Sequence, residues 1–218
     1  MASLAQALSD FKHSYEQSAP PEILETLSRN ISLLQEQRTL RASPKVSEPM
    51  PDGTLYDNSG QAISLTTLLQ RPLIITFVRG GWCPYCMLEL RAWEQLIAEQ
   101  PSMPNLIAVS GETLSFTKQV QLDNALSFPL LLDPNFTVME KFGLVYEIND
   151  ALKAVLLKWG VDLLERTART EFALPIPATY IVDTSGTVQY AFIEEDYTSR
   201  AEPMDVLAVY QQLLQAEK

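Results

Sequence analysis

The stretch RGGWCPYCMLE, Arg79 to Glu89, contains Cys83 and Cys86, the only two cysteines of the 218-residue chain. A disulfide across a Cys-x-x-Cys closes a very small loop, so its stabilisation falls at the low end of the usual range of about 0–5 kcal/mol. Chemistry therefore explains the pair better than architecture does. A thiolate attacks disulfides and peroxides, and a neighbouring thiol can then close a disulfide with it. The spacing predicts a dithiol–disulfide redox pair.

The residues around the pair favour a reactive thiolate. An apolar run at residues 73–78 and two glycines precede Cys83, and a helical pattern follows it. Free N–H groups and the positive end of the dipole at a helix N-terminus lower a thiol pKa from ~8.5, commonly to ~3.5–7.5. Pro84 suits the first helical turn because its missing N–H costs nothing there. We expect Cys83 to lie at the mouth of the helix, exposed to a partner, and Cys86 to lie one turn further in.

Two other uses of the cysteines are weaker. A zinc site needs about four ligands, whereas the chain offers two cysteines and one histidine, His13, far away in sequence. We therefore predict no metal and no other cofactor. The cysteines could instead fill the core of a redox-inactive scaffold that keeps the fold and binds a partner. That alternative predicts thiols that titrate near ~8.5 and ignore oxidants.

Charge and composition exclude several classes of partner. The formal net charge is −11, from 16 basic and 27 acidic side chains. Nucleic acids and anionic membrane surfaces are bound by basic patches, so neither is expected as a partner. The N-terminus lacks the basic and then apolar pattern of a secretory signal, and no apolar run is long enough to cross a bilayer. A close cysteine pair without an export signal indicates the reducing cytoplasm.

Alternation of apolar β-rich runs with helical patterns predicts an α/β fold, a mixed sheet flanked by helices. The predicted strands lie at residues 73–78, 106–109, 130–132, 178–182 and 188–192. The predicted helices lie at residues 84–100, 113–125, 135–142, 146–172 and 203–215. The last two strands flank a DTSG turn and form a hairpin.

The N-terminal part of the chain has a different organisation. Helical spacing of apolar residues predicts a helical arm at residues 2–41, and a proline-rich loop follows it. The predicted division is an extension at residues 1–42 and a domain at residues 43–218. The arm either packs on its own domain or forms a homodimer. The helix predicted at 146–172 packs on the core by default, or caps the site or a dimer interface.

Long segments of the sequence resemble the peroxiredoxin (AhpC/TSA) family of the thioredoxin-fold superfamily, in particular its members with a Cys-x-x-Cys. The resemblance covers about residues 46–216. It is carried by the segments PDGTLYDNSGQAISL, LIITFVRGGWCPYCMLEL, FPLLLDPNFTVMEKFGL and PATYIVDTSGTVQYAFIEEDYTSRAEP. It implies a thioredoxin-like fold of the peroxiredoxin type and an antioxidant thiol chemistry.

The family motif Pro-x-x-x-Thr-x-x-Cys implies specific roles for residues of this chain. It places Cys86 in the peroxidatic position and Glu89 in the position of a glutamate that follows it. Cys83 stands where the family has Thr or Ser, and Arg79 stands where it has Pro. Glu89 and Arg91 lie within the helix, where we expect a structural salt bridge rather than a part in catalysis.

A second departure lies before the strand at 178–182, where the family usually has an arginine and this chain has Pro175, Ile176 and Pro177. An Ile-Pro here resembles the cis-proline loop of thioredoxin-like proteins, in which the proline lies against the Cys-x-x-Cys. We therefore expect a cis bond between Ile176 and Pro177, with the proline facing Cys83. The backbone of Ile176 would pair with an extended peptide or thiol substrate.

The resemblance leaves two mechanisms open. In disulfide exchange, Cys83 attacks a disulfide substrate and Cys86 then releases the product. In peroxide reduction, Cys86 attacks a hydroperoxide and Cys83 condenses with the resulting sulfenic acid. Both end in a Cys83–Cys86 disulfide that a thioredoxin- or glutathione-type reductant reopens.

Four further residues are expected to shape the site. Arg79 either stabilises the thiolate or orients a peroxide, unless it is a solvated surface charge. Trp82 is expected to shield the cysteines, and Tyr85 to face the partner. Arg200, in the segment DYTSRAEP, is expected to approach the site from far along the chain.

Overall fold

The computed structural model describes residues 3–216. Seven strands form one mixed sheet in the order β2-β1-β5-β4-β3-β8-β9, and β6 pairs with β7 in a separate ribbon. The strands are β1 (Thr54–Tyr56), β2 (Ala62–Ser64), β3 (Leu73–Val78), β4 (Leu106–Ser110), β5 (Leu130–Leu132), β6 (Val145–Glu147), β7 (Ala173–Pro175), β8 (Ala178–Val182) and β9 (Val188–Ile193).

Helices cover both faces of this sheet. They are α1 (Leu4–Ser18), α2 (Pro21–Gln37), α3 (Pro84–Ala98), α4 (Leu114–Asp123), α5 (Thr137–Lys141), α6 (Asp150–Lys158), α7 (Leu163–Arg166) and α8 (Pro203–Ala216). Two single 3₁₀ turns lie at Thr39–Ala42 and Leu65–Leu68. Within residues 3–216 no helix has both the length and the apolar character needed to cross a bilayer.

Strand β3 is the centre of the sheet. All six of its side chains are buried, as its unbroken apolar sequence predicts for a strand covered on both faces. It runs parallel to β4 and antiparallel to β8, and it brings Thr76 opposite Thr179. Helix α3 follows its carboxyl end after the short loop at residues 79–83, so this fully buried strand positions the cysteines.

Two apolar clusters hold the layers together. One lies between the sheet and α1, α3 and α8, and its largest fully buried side chains are Trp93 and Tyr210. The other lies on the opposite face around Phe77, Phe142 and Tyr180. The predicted α/β architecture, a mixed sheet flanked by helices with an N-terminal helical arm, is therefore confirmed.

The arm packs on its own chain. Leu4 and Leu8 of α1 are buried against α3 and α8, and Leu34 of α2 joins the cluster on the other face. The Glu202 carboxylate accepts the backbone N–H groups of Leu4 and Ala5 at 3.2 and 3.1 Å, which fixes the start of α1. An acidic group suits this end of a helix because the N–H groups there have no partner within the helix. The division at residues 42 and 43, and a homodimer, stay predictions.

The single helix predicted at residues 146–172 is wrong. This segment contains β6, α6, α7 and the approach to β7. Gly160 adopts a φ of +74° after α6, and the Asp162 side chain then caps a new helix by accepting the N–H of Leu164 at 2.9 Å. The apolar spacing continues across this break because both short helices bury leucines in one cluster. The spacing of apolar residues therefore could not reveal the turn at Gly160.

The other predicted elements are confirmed, with shorter ends for three helices, α3, α4 and α5. The helix predicted at 113–125 is α4, and the one predicted at 135–142 is α5. Phe136 has a φ of +60°, so the chain cannot be helical before Thr137. Gly143, with a φ of +65°, follows the C-cap residue Phe142 and ends α5.

Candidate active site

Cys83 is the N-cap residue of α3. Its N–H donates to the carbonyl of Gly80 at 3.1 Å, and its own carbonyl accepts the first helical N–H, that of Met87, at 3.1 Å. Gly80 has a φ of +134°, and an added Cβ would lie 2.6 Å from the Glu112 side chain. Only glycine fits the turn that carries the chain from β3 into α3. The predicted placement of the cysteines at a helix N-terminus is confirmed.

The two cysteines are free thiols and both are buried, Cys83 at 1% and Cys86 at 0% exposure. The two side chains are close enough for the protonation of one to affect the pKa of the other. The Cys86 sulfur also accepts the backbone N–H of Arg79 at 3.3 Å and a guanidinium N–H of Arg200 at 3.4 Å. The expectation of a surface-exposed Cys83 is wrong, because the arm and α6 cover the mouth of α3.

The environment makes the two thiols different. Burial raises the pKa of Cys83, but the hydrogen bond from Cys86 and the positive charges of Arg79 and Arg200 outweigh burial and lower the pKa to about 6. Burial and the neighbouring Cys83 charge raise the pKa of Cys86. Cys83 is therefore the thiolate at neutral pH, and Cys86 is the cysteine that keeps its proton.

Arg79 is a buried cation beside the cysteines, with 6% exposure. Its guanidinium lies over the rings of Tyr197 and Trp82, at 4.2 and 5.0 Å from their centroids. Its Nε has no hydrogen-bond partner among the described residues, and no carboxylate there pairs with it. The alternative of a solvated surface charge is therefore wrong. Stacking on two aromatic faces compensates part of the lost hydration.

Behind Cys86, Glu89 forms a buried network. Its carboxylate accepts Arg200 Nε at 2.7 Å and the hydroxyl of Thr76 at 2.5 Å. Burial raises the pKa of Glu89 to about 7, although the Arg200 charge opposes this. The salt bridge expected of Glu89 is therefore present, but it crosses the core to Arg200. Arg91 has no acidic partner among the described residues and donates to Asn124 at 2.7 Å. The expected approach of Arg200 is confirmed.

A second acidic residue at the site was missed by the sequence reasoning. Glu112 is buried, accepts the N–H of Gly81 at 2.7 Å and pairs with Arg166 at 2.6 Å. It therefore fixes the loop before Cys83. The sequence could have predicted this contact, because the carboxyl ends of parallel strands meet at one edge of a sheet. Glu112 follows β4 as Gly81 follows β3.

A cavity of about 430 Å³ lies above Cys83. Its walls come from the Cys83 loop, from α1, α2 and α6, from the turn after α6, and from Tyr197. Cys83 lines this cavity and Cys86 does not. Most lining side chains are apolar or aromatic, two are arginines, Arg79 and Arg166, and none is acidic. The thiolate therefore faces a partly open, apolar and electropositive space.

The predicted site-shaping residues of the Cys83 loop line this cavity. They are Trp82, Pro84 and Tyr85. Tyr85 is buried, and its ring meets those of Phe11 and Tyr197 edge-on at 5.1 and 5.8 Å. Tyr85 thus contacts the arm of its own chain, where a partner was expected.

The proposed cis-proline loop is wrong. No cis peptide bond occurs in residues 3–216, so the bond between Ile176 and Pro177 is trans. Ile176 is 1% exposed, and its N–H donates to the Leu144 carbonyl at 2.7 Å. Neither residue lines the cavity. The physical reason is that β7 pairs with β6. The Ile176 N–H at the end of this ribbon already has a partner, so it is not available to an extended substrate.

Comparison with solved structures identifies the fold. The peroxiredoxin-like protein of Aquifex aeolicus superposes with a TM-score of 0.63 at 16% identity, covering 80% of this chain and 90% of that one. Peroxidoxin BcpB of Mycobacterium tuberculosis superposes with a TM-score of 0.58 at 18% identity, covering 78% and 98%. The chain therefore has the thioredoxin-like fold of the peroxiredoxin type, as predicted.

Sequence comparison identifies the family. The chain is 26% identical over 143 residues to the chloroplastic peroxiredoxin Q of Oryza sativa subsp. japonica, covering 65% of this chain and 56% of that protein. It is 28% identical over 106 residues to the thiol-disulfide oxidoreductase ResA of Halalkalibacterium halodurans, covering 48% and 60%. The chain thus spans little more than half the length of these relatives. The sequence model of the AhpC/TSA family matches residues 46–191, which is most of the chain, and the protein belongs to that family.

Proposed function

We propose that this protein is a thiol peroxidase with an antioxidant role, in which Cys83 attacks the hydroperoxide and Cys86 closes the disulfide. One observation carries the proposal. The thiolate of Cys83 faces a cavity, whereas Cys86 is enclosed and keeps its proton. A nucleophile needs both negative charge and access to its substrate, and only Cys83 has both.

The reaction runs in two steps. The Cys83 thiolate attacks the outer oxygen of the hydroperoxide, an S–O bond forms and the O–O bond breaks. The product is a sulfenic acid on Cys83 and an alkoxide that takes a proton from water. The Cys86 sulfur then attacks Cys83, an S–S bond forms and the S–O bond breaks. The leaving hydroxide combines with the Cys86 proton to give water, so the hydroperoxide is reduced by two electrons.

Neighbouring residues position these sulfurs. We assign to Arg79 the stabilisation of the thiolate and of the charge that develops on the departing oxygen. Arg200 and the Arg79 N–H hold Cys86 in place to attack. Trp82, Pro84 and Tyr85 shape the access to Cys83. Ile176 and Pro177 lie behind the site, so we assign them support of β8 and no substrate contact.

The family register implies the opposite order, with Cys86 as the peroxidatic cysteine. Cys86 does accept two hydrogen bonds, which favour its thiolate, but burial and the neighbouring Cys83 charge outweigh them and raise its pKa. Its lack of access to the cavity is the stronger objection. We therefore favour Cys83 as the first attacker.

Disulfide exchange is the second candidate, since Cys83 would start that reaction as well. The likeness to a thiol-disulfide oxidoreductase supports it. The covering of Cys83 by the arm speaks against an extended protein substrate. A redox-inactive scaffold is less well supported, because nothing in a scaffold requires a lowered thiol pKa.

The cellular setting is part of the proposal. Reduced cysteines fit the cytoplasm, where thiol systems keep such pairs open. A thioredoxin- or glutathione-type reductant would supply the two electrons for the next cycle. A homodimer remains compatible with the docked arm, since α1 and α2 keep exposed faces.

Two serine variants test the order of attack. Each variant and the parent protein are treated with hydroperoxide, and sulfenic acid is trapped with a dimedone-type reagent and located by mass spectrometry. We expect labelled Cys83 in Cys86→Ser, no label in Cys83→Ser, and a disulfide in the parent. A label on Cys86 in Cys83→Ser would support the family register instead. A mixed disulfide without any sulfenic acid would support exchange, and inert thiols would support the scaffold.

A further inference from the structure

We propose that the electrons reach this site from a low-molecular-weight thiol that carries a carboxylate, and not from a thioredoxin-type protein. The inference rests on the Cys83–Cys86 cycle proposed above and names its reductant. It follows from three properties of the cavity above Cys83: its walls, its size and its charge.

The walls exclude a protein reductant. A protein that reduces a disulfide must bring its own sulfur into line with the bond it breaks. Cys83 is 1% exposed, and Phe11 and Tyr15 of α1 and Leu156 of α6 stand over it as lining residues of the cavity. A cysteine on the surface of a folded partner cannot reach this depth while α1 stays docked, and Glu202 holds α1 by its first N–H groups.

The size fits a small organic thiol. The cavity measures about 430 Å³, within the range of about 300–1,000 Å³ for sites of small molecules. Its exposed lining residues include Trp159 and Gly160, at the turn after α6. A small molecule can enter there and place its sulfur beside Cys83.

The charge selects an anion. The chain has a net charge of −11, yet the cavity has two arginines and no acidic residue in its lining. Arg166 is neutralised by Glu112 at 2.6 Å. Arg79 is not paired, and its Nε is buried without a partner among residues 3–216. In the disulfide form Cys83 is no longer a thiolate beside Arg79, so a carboxylate on the entering thiol would supply the missing counter-charge, because an unpaired buried cation strongly favours one.

Reduction of the Cys83–Cys86 disulfide takes two successive thiol–disulfide exchanges. The first thiolate attacks the Cys83 sulfur, a mixed disulfide forms, and the bond to Cys86 breaks. Cys86 leaves and takes a proton. A second thiolate attacks the sulfur of the bound small thiol, releasing it as its own disulfide and leaving Cys83 as a thiolate. Two thiols thus supply two electrons and two protons, of which one remains on Cys86 and the other enters the solvent.

The test uses three thiols of similar size and different charge. The Cys83–Cys86 disulfide is formed beforehand with a diamide-type oxidant, so the measurement does not depend on peroxide chemistry. Its reduction by 3-mercaptopropionate, 2-mercaptoethanol and cysteamine is followed by alkylation and mass spectrometry, with rates divided by each thiolate concentration. We expect the anionic thiol to exceed the cationic one by at least about tenfold, the lower end of what charged clefts achieve. Glutathione should act faster, per mole, than thioredoxin.

A variant pair identifies the cause of the selectivity. Arg79→Met should bring the ratio of anionic to cationic rates close to one, and the ratio cancels any change in the reactivity of the disulfide itself. Arg91→Met removes an exposed charge from the same helix outside the cavity and should preserve the ratio. The parent protein alone decides the case if Arg79→Met does not fold.

Three outcomes would overturn the inference: equal rates for the three small thiols, thioredoxin faster than every one of them, or an unchanged ratio in folded Arg79→Met. None of these would affect the proposed peroxidase, which depends on the trapping of sulfenic acid. Conversely, if the protein does not react with hydroperoxides but its disulfide is reduced with the expected charge selectivity, the proposed peroxidase function is refuted and the inference about the reductant stands.

Discussion

Removal of the Arg79 charge should raise the pKa of Cys83. Burial alone would hold this thiol neutral, and it is the Cys86 hydrogen bond together with Arg79 and Arg200 that brings its pKa to about 6. A single opposite charge within about 4–6 Å typically changes a pKa by about 1–3 pH units. Arg79→Met keeps most of the apolar stem between Trp82 and Tyr197 and deletes only the charge, so the pKa should rise by at least about one pH unit.

The consequence for reactivity follows from the thiolate fraction. At pH 6 a thiol with a pKa of about 6 is about half ionised. A rise of one pH unit lowers this fraction to about 9%, and a rise of two lowers it to about 1%. Alkylation of Cys83 by iodoacetamide at pH 6 should therefore slow about fivefold to fiftyfold in Arg79→Met, and the difference should vanish in alkaline solution.

The assay is the pH profile of alkylation at Cys83, read by mass spectrometry alongside the ultraviolet absorbance of the thiolate. Arg79→Lys keeps a positive charge and should restore part of the low pKa. Arg91→Met is the matched control and should retain the parent profile, since Arg91 bonds to Asn124 on the surface. A parent-like profile in a folded Arg79→Met would refute the assignment of the guanidinium as a cause.

Two further predictions concern stability. Burial raises the folded-state pKa of Glu89 from 4.5 to about 7, so the native state holds this proton to higher pH than the unfolded chain does. The stabilisation from that proton is complete below about pH 4.5 and is lost as the pH rises through about 7. The free energy of unfolding in urea, measured for the parent and for Glu89→Gln, should therefore differ by an amount that falls over this pH range. A difference that does not change with pH would contradict the prediction. Gly111→Ala places a Cβ 1.9 Å from the Phe136 ring, which is fully buried. This overpacking should cost about 1–3 kcal/mol and lower the thermal midpoint by several degrees, whereas an unchanged midpoint would show that the ring can move aside at no cost.

The sequence was most informative where local chemistry decides the structure. The apolar run of β3, the two glycines and Pro84 place Cys83 at the start of a helix without any long-range information. The pattern of the terminal hairpin is equally local. These features depend on neighbours in the chain, and the structure reproduces them closely.

Contacts between distant segments were harder to foresee. The pairing of Glu89 with Arg200 joins residues 111 positions apart, and no periodicity in the sequence encodes it. The helix expected at 146–172 failed because a turn at Gly160 leaves the leucine spacing intact. The cis-proline expectation failed for a related reason, since the β6–β7 ribbon that fixes Ile176 is created by pairing and not by local propensity.

The segment that identifies the family and part of the wall that controls access to Cys83 lie in different parts of the chain. The stretch that identifies the family is residues 46–191, and it carries both sulfurs and their helix. Phe11, Tyr15 and Leu27 lie outside it and yet form part of the wall above Cys83. Evolution can therefore alter what enters this site by changing the first forty or so residues and leave the reacting groups untouched. Homologues that share the cysteine motif but begin with a different leader segment should then differ in the molecules they accept.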